Sequence, residues 1–523
     1  MPLAGPSLGE PVQVPTLLAR GLASHPDDSA LASAETSLSW RELETLSTRL
    51  AANLLGLGLR PGDRIASLMP NRPALAVHYL ACLKAGLVAT PLNYRYTAPE
   101  IDHALEVSDA AVLLAHVERH EDLAASRFAK RLRIGLVSYG AGGPGPSFDA
   151  LTTTEPVRAE LPEPDLGAPA ILFFTSGSTG PAKGVTHTLE TIGWMFASTA
   201  SVLELTPNDV FLPASSMSHI GAFLWTFSSL AAGARVVVAR TFDGDEVLHL
   251  LRTERPTILS MIPAALLALV RDHDATAGDF SSLRLCRSGA DKVTAELQRE
   301  FFELGAAPID EGYGMTEVGI ATMSPPYGAI KEGSIGRPIP GFTIAIRDDD
   351  GNEVPTGTAG RVWIKSPTCT VGYWRDPSAT AAVLREGWLD SGDLVHADKE
   401  GYLWFFGRKK QIIVHDGSNI SPQEVEAALA EHPSVDLTGV IGVHDLMHGE
   451  NVRAYVVLKA GAARPTSQEL IRFARERVGY KAPEEIVFMD EIPLNPTGKV
   501  DRPALKRVAE EHLMAHSPSA PGR

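Results

Sequence analysis

Short apolar runs alternate with helical patterns along much of this chain, and that rhythm limits the fold more than any other feature. Segments 65–69, 86–91, 111–115, 132–137, 168–174, 210–212, 235–239, 258–261 and 283–288 read as buried strands, with helical stretches between most of them. A strand that is apolar on both faces needs a cover on both. The strand–helix–strand repeat supplies it in parallel sheets flanked by helices. Shorter segments at 343–347, 360–365 and 403–406, the first ending in a charged turn that runs to Gly351, predict a small antiparallel barrel. Past Gly407 the pattern resets into a compact α+β unit: strand 411–414, helix 422–430, strands 436–443 and 453–458, and helices 467–478 and 503–512. The expected fold is therefore α/β, a large N-terminal domain over 1–408 followed by a small mobile α+β domain over 409–523. Ser39 is placed to cap the helix that follows a short strand at 37–40. The Pro- and Gly-rich stretch 1–15 and the tail from Ser517 are expected to be loose.

At 523 residues the chain exceeds what one simple core organises, and its 44% apolar content is that of an ordinary globular protein. A formal charge of −16 argues against nucleic acid as a partner, because phosphate backbones attract basic surfaces. No apolar run approaches a membrane-spanning length, and the start lacks the basic-then-apolar pattern of a signal peptide. A cytoplasmic location is the expectation. Cys82, Cys286 and Cys369 are isolated, with neither zinc spacing nor a disulfide framework, so they read as packing residues.

After the 168–174 strand come Thr175, Ser176, Gly177, Ser178, Thr179, Gly180, Pro181, Ala182, Lys183 and Gly184. Glycines admit a polyphosphate to the backbone N–H groups, hydroxyls add donors, and Lys183 adds positive charge. A Walker A loop is excluded: counted from Gly177, Ala182 stands where glycine is required and Gly184 where Ser or Thr must hold magnesium. Further along, Gly312-Tyr313-Gly314 offers an aromatic ring with an open face, and Glu317 a carboxylate of the kind that holds magnesium between phosphate oxygens. Asp393, in Trp388-Leu389-Asp390-Ser391-Gly392-Asp393, can accept both hydroxyls of a ribose. Arg408 and Lys410 lie at the domain junction, Gly417 follows it, and Lys499 sits in Asn495-Pro496-Thr497-Gly498-Lys499.

Taken together and in this order, these motifs resemble those of the adenylate-forming superfamily, which includes acyl-CoA synthetases, adenylation domains of peptide synthetases and luciferases. The resemblance spans about 15–512 and is nearest to the acyl-CoA synthetase branch. It implies an ATP-dependent acid–CoA ligase that forms an acyl-adenylate and then a thioester, using ATP, Mg2+ and coenzyme A. It implies that the 175–183 loop grips the outgoing pyrophosphate, Tyr313 stacks on adenine and Thr316 contacts the α-phosphate. Glu317 would bind the metal, Asp393 and Arg408 the ribose, and Lys499 would be the catalytic lysine. Lys410 would be the hinge and Gly417 would border the thiol tunnel. Three positions depart from the family pattern: Ser391 stands for the usual threonine and keeps the hydroxyl, Gln411 replaces a common acidic residue, and Asp416-Gly417 replaces a Gly-Gly pair, which puts the tunnel in question.

The acyl pocket is expected along 218–223, with His219 and Phe223, and along Ser288, Gly289, Ala290, Gly312, Gly314 and Gly319. Its small and apolar character favours a fatty or aromatic acid without an amino group. Asp291 is the one candidate partner for an amino group. The alternatives are an adenylation enzyme that loads an acyl or peptidyl carrier protein, a fatty acyl-AMP ligase, and, more remotely, a non-catalytic nucleotide-binding protein. Both a monomer and a homodimer stay open.

Overall fold

The computed structural model describes residues 2–156, 160–175, 182–240, 244–289, 293, 295–324, 329–415, 418–445, 449–495 and 498–516. Two large sheets form the body. Five parallel strands, in the order Pro169–Thr175, Val88–Pro91, Arg64–Leu68, Val112–His116 and Gly135–Tyr139, make most of the first. Six parallel strands, in the order Ile309–Met315, Leu285–Ser288, Ile258–Met261, Val210–Ala214, Arg235–Val237 and Ser29–Ala32, make most of the second. The apolar rhythm predicted this parallel character, because each connection between them is long enough for a covering helix.

At one edge of each sheet the direction reverses. Pro169–Thr175 turns back into Lys183–Thr188, and Ile309–Met315 into Gly319–Met323, both antiparallel. Connections this short cannot make a parallel crossover. The turn of the 169–188 hairpin is the hydroxyl-rich loop, and the turn of the 309–323 hairpin is Thr316, Glu317 and Val318. Both motifs thus sit where their parallel sheets end.

Residues of both sheets share one buried cluster with the helices between them. Tyr79, Phe173, Phe196, Phe223 and Phe227 are each 0% exposed there. Their rings meet at centroid distances of 4.8–6.2 Å. Each such side chain contributes roughly 2–3 kcal/mol on burial. The 40–56 helix starts as expected: the Ser39 hydroxyl accepts from the Glu42 N–H, and the Glu42 carboxylate accepts from the Ser39 N–H at 2.8 Å.

The third sheet is antiparallel, in the order Leu3–Ala4, Thr343–Arg347, Gly360–Lys365, Trp388–Ala397 and Leu384–Arg385, with Leu403–Arg408 also on Trp388–Ala397. It occupies the place of the expected barrel; among the described residues its pairings run from edge to edge without closing. The expectation of a loose 1–15 is corrected. Leu3–Ala4 pairs with Thr343–Ile344, the Val12 N–H donates to the Gly193 carbonyl, and Val14 is buried. An exposed edge strand accepts an added strand whatever its Pro and Gly content nearby. The tail from Ser517 lies outside the described residues.

The fourth sheet belongs to a separate small C-terminal unit: Ser418–Ile420, Ile413–His415, Gly449–Leu458 and Val435–Asp445, with Glu485–Phe488 parallel on Gly449–Leu458. Helices Pro422–Ala430 and Ser467–Val478 contribute to one of its two apolar clusters, and Arg502–His516 to the other. Among the described residues, no helix is long and apolar enough to cross a membrane. Cys82 and Cys286 are fully buried and free, and Cys369 is partly buried and free.

Candidate active site

The site is assembled where the two hairpin turns approach each other. The His187 Nε2 lies 2.8 Å from the Thr316 carbonyl, which ties the first hairpin to the second. Its ring is buried and held neutral, with the pKa pushed down to about 4 by burial, while the bond to the Thr316 carbonyl opposes that shift. Glu317 is 6% exposed, and burial raises its carboxyl above the usual range. The Tyr373 hydroxyl donates to its Oε1 at 2.8 Å and offsets part of that shift. Lys183, exposed at the start of its strand, places its Nζ 5.1 Å from the centroid of the same Tyr373 ring.

A second group forms beside it. The Tyr313 hydroxyl donates to Asp393 Oδ2 at 2.7 Å, and Arg408 Nε donates to Asp393 Oδ1 at 3.1 Å. Asp393 is 2% exposed; burial raises its carboxyl, and the Arg408 charge opposes the shift. Tyr313, itself mostly buried, faces Phe405 with ring centroids 6.3 Å apart. Gly314 sits at a bulge of the 309–323 hairpin, where a Cβ would come within 2.3 Å of the Gly319 carbonyl oxygen. A side chain at this position would force the two strands of the hairpin apart. The two groups are one field, since the charges of Arg408 and Asp393 both act on Glu317.

Lys499 belongs to the C-terminal unit, yet its charge reaches this site. It lies on a tight exposed turn, with its N–H donating to Asn495 Oδ1 at 3.0 Å and Gly498 at φ +82°. Its positive charge is felt by both Asp393 and His219. His219 precedes the Ile220–Ala231 helix, and Asn93 Nδ2 lies 3.3 Å from its Nε2. Burial, with Lys499 adding to it, pushes His219 down to about 4.

The structure therefore brings Lys183, Tyr313, Thr316, Glu317, Asp393, Arg408, His219 and Lys499 to one region. Thr175 pairs in register with Lys183 across the first hairpin. Ser288 is buried, donating to the Met261 carbonyl at 2.8 Å, and Gly289 would carry a Cβ 3.5 Å from the Gly312 carbonyl oxygen. Gly319, at φ +76°, faces Leu224 and Met195. Phe223 is turned into the aromatic cluster of the core. Lys410 lies in a short 3-10 turn, 409–411, beside the ion pair of Lys409 with Asp349. Ser176, Gly177, Ser178, Thr179, Gly180, Ala290, Asp291, Asp416 and Gly417 lie outside the described residues.

Sequence reading passed over Tyr373, Thr370, His187 and Phe405. The Thr370 N–H donates to the Glu317 carbonyl at 2.7 Å and its hydroxyl to the Thr186 carbonyl at 2.6 Å. No local signal marks such residues, because each acts through a partner distant in the chain.

A family model for AMP-binding enzymes matches residues 18–374, and one for the AMP-binding enzyme C-terminal domain matches 424–499. The chain belongs to the AMP-binding enzyme family. It is 35% identical over 486 residues to a feruloyl-CoA synthase of Amycolatopsis sp, covering 92% of this chain and 96% of that one. It is 33% identical over 491 residues to an indoleacetate–CoA ligase of Aromatoleum aromaticum, covering 92% and 95%. The solved structure of an anthranilate CoA ligase in complex with anthranoyl-AMP superposes with a TM-score of 0.89 at 26% identity, covering 97% of this chain and 99% of that one. Within the family the chain is an AMP-forming acid–thiol ligase that uses ATP and CoA.

Proposed function

We propose that this ligase activates an aromatic carboxylic acid, with a fatty acid as the second reading, and passes the acyl group to CoA. The observation that carries the proposal is convergence: Lys183, Glu317, Asp393 and Lys499, spread over more than half the chain, act on one space between the body and the C-terminal unit. The feruloyl-CoA synthase and the indoleacetate–CoA ligase, both named for acids that carry an aromatic ring, support the aromatic reading.

In the first step a carboxylate oxygen attacks the α-phosphate of ATP; the bond to the β-phosphate breaks and pyrophosphate leaves. Lys499 bridges the carboxylate and the α-phosphate, Thr316 donates to the latter, and the 175–183 loop holds the departing phosphates. Asp393 and Arg408 hold the ribose, and Tyr313 lies against adenine. Positioning and charge neutralisation dominate such transfers. In the second step the thiol sulfur attacks the acyl carbon, its proton is lost, and AMP departs. Lys499 withdraws as the 409–523 domain turns about Lys410, and Gly417 comes to border the thiol path.

The described residues contain no group of three His, Cys, Asp or Glu that could hold a metal. Glu317, a buried carboxylate, would hold Mg2+ beside the phosphates. When bound, Mg2+ neutralises phosphate charge.

The test is acid-dependent pyrophosphate release from ATP across aromatic, fatty and amino acids, followed by thioester formation with CoA or a phosphopantetheinylated carrier protein. An aromatic acid with CoA is the expected best pair. Release with amino acids alone, or transfer to the carrier alone, overturns the assignment.

A further inference from the structure

Segment 366–374 straps the two hairpins together, and Tyr373 is its working residue. Its backbone pairs with Val185 beside Lys183, and its N–H donates to Thr380 Oγ1 at 2.9 Å. Thr370 bonds to the main chain of both Glu317 and Thr186, so the ring is fixed relative to both turns. Trp374 adds an N–H donated to the Gly184 carbonyl at 2.7 Å.

We propose that Tyr373 is a positioning residue for adenylation: its ring face parks the Lys183 ammonium while its hydroxyl aims the Glu317 carboxylate. The contacts are the 5.1 Å approach of Nζ to the ring centroid and the 2.8 Å bond to Oε1. A cation over a ring is held loosely and released to a phosphate readily. A direct lysine–carboxylate pair in a partly enclosed site would be held far more strongly, and both partners would be lost to the nucleotide until it broke. The hydroxyl is bonded to Oε1 and so fixes the rotation of the Glu317 carboxylate. The inference rests on reading Glu317 as the Mg2+ residue.

Tyr373→Phe and Tyr373→Leu test it with three readouts: the Mg2+ concentration for half-maximal pyrophosphate release, calorimetric binding of a non-hydrolysable ATP analogue at varied Mg2+, and thioester formation from supplied acyl-AMP. Loss of the hydroxyl should raise the Mg2+ requirement in both the first two measurements by about tenfold, the size expected for one hydrogen bond to a charged group. The thioester step should be unchanged. Tyr373→Leu should in addition weaken analogue binding at saturating Mg2+. An unchanged Mg2+ requirement in Tyr373→Phe, or equal loss of both half-reactions, overturns the role of Tyr373 and leaves the ligase reading standing. A wild-type protein with no acid-dependent pyrophosphate release overturns both.

Discussion

Asp393 and Lys499 face the same space under opposite conditions. Asp393 is 2% exposed and already bonded through both oxygens to Tyr313 and Arg408, whereas Lys499 stands on an exposed turn of another unit. Glu317 resembles Asp393, buried and bonded to Tyr373. On the proposed roles the contrast follows the chemistry: groups that would hold the nucleotide throughout are preorganised in the body, and the cation that would serve one step stands on the other unit.

The largest expected effect tests that division. Lys499→Ala should lower adenylation by about 10²–10³-fold, the usual loss for one electrostatic contact to a transition state. Thioester formation from supplied acyl-AMP should stay near wild type; equal loss in both half-reactions would break the contrast. Asp393→Asn should raise the KM for ATP by about 10- to 100-fold, since two charge-assisted bonds lose their acceptor charge. It should also lower the melting temperature, because it disturbs a buried network, whereas Lys499→Ala should leave that temperature unchanged. Gly314→Ala should cost about 2 kcal/mol in urea unfolding, as its Cβ meets the Gly319 carbonyl oxygen.

pH sharpens the same comparison. His187 and His219 are held neutral, with pKa values depressed to about 4, so below the ordinary histidine value the unfolded chain binds protons that the folded chain does not. Their contribution to stability is complete above about pH 6.5 and is lost as pH falls toward 4, at up to about 1.4 kcal/mol per unit for each group. Urea melts at several pH values, repeated on a His187→Gln variant, would show the slope and its reduction. The smallest effect is expected at the domain junction. Lys409→Ala removes a largely exposed ion pair with Asp349 and should change stability by less than about 1 kcal/mol.

Much of this site was legible before any coordinates. Tyr313, Glu317, Asp393 and Lys499 sit in short motifs whose residue types match nucleotide chemistry, and the capping box at Ser39 is a local pattern read locally. Tyr373 was not legible, because its meaning lies in Glu317 and Lys183, far away in sequence. Lys183–Thr188 was missed as a strand because Lys, Gly and His break the apolar run, although its last five residues are buried by their neighbours. Leu3–Ala4 was missed because two residues carry no period at all.

The amino-acid order by itself determined the alternation of strands and helices, the reset after Gly407 and the chemical identity of the site residues. Those properties depend on neighbours a few positions apart. Only the tertiary structure decided which strands reverse at the sheet edges, that segment 1–15 is tied down, and that a tyrosine stands between a lysine and a carboxylate. Pairing and burial are settled by contacts between distant segments, whose free energy no single segment contains.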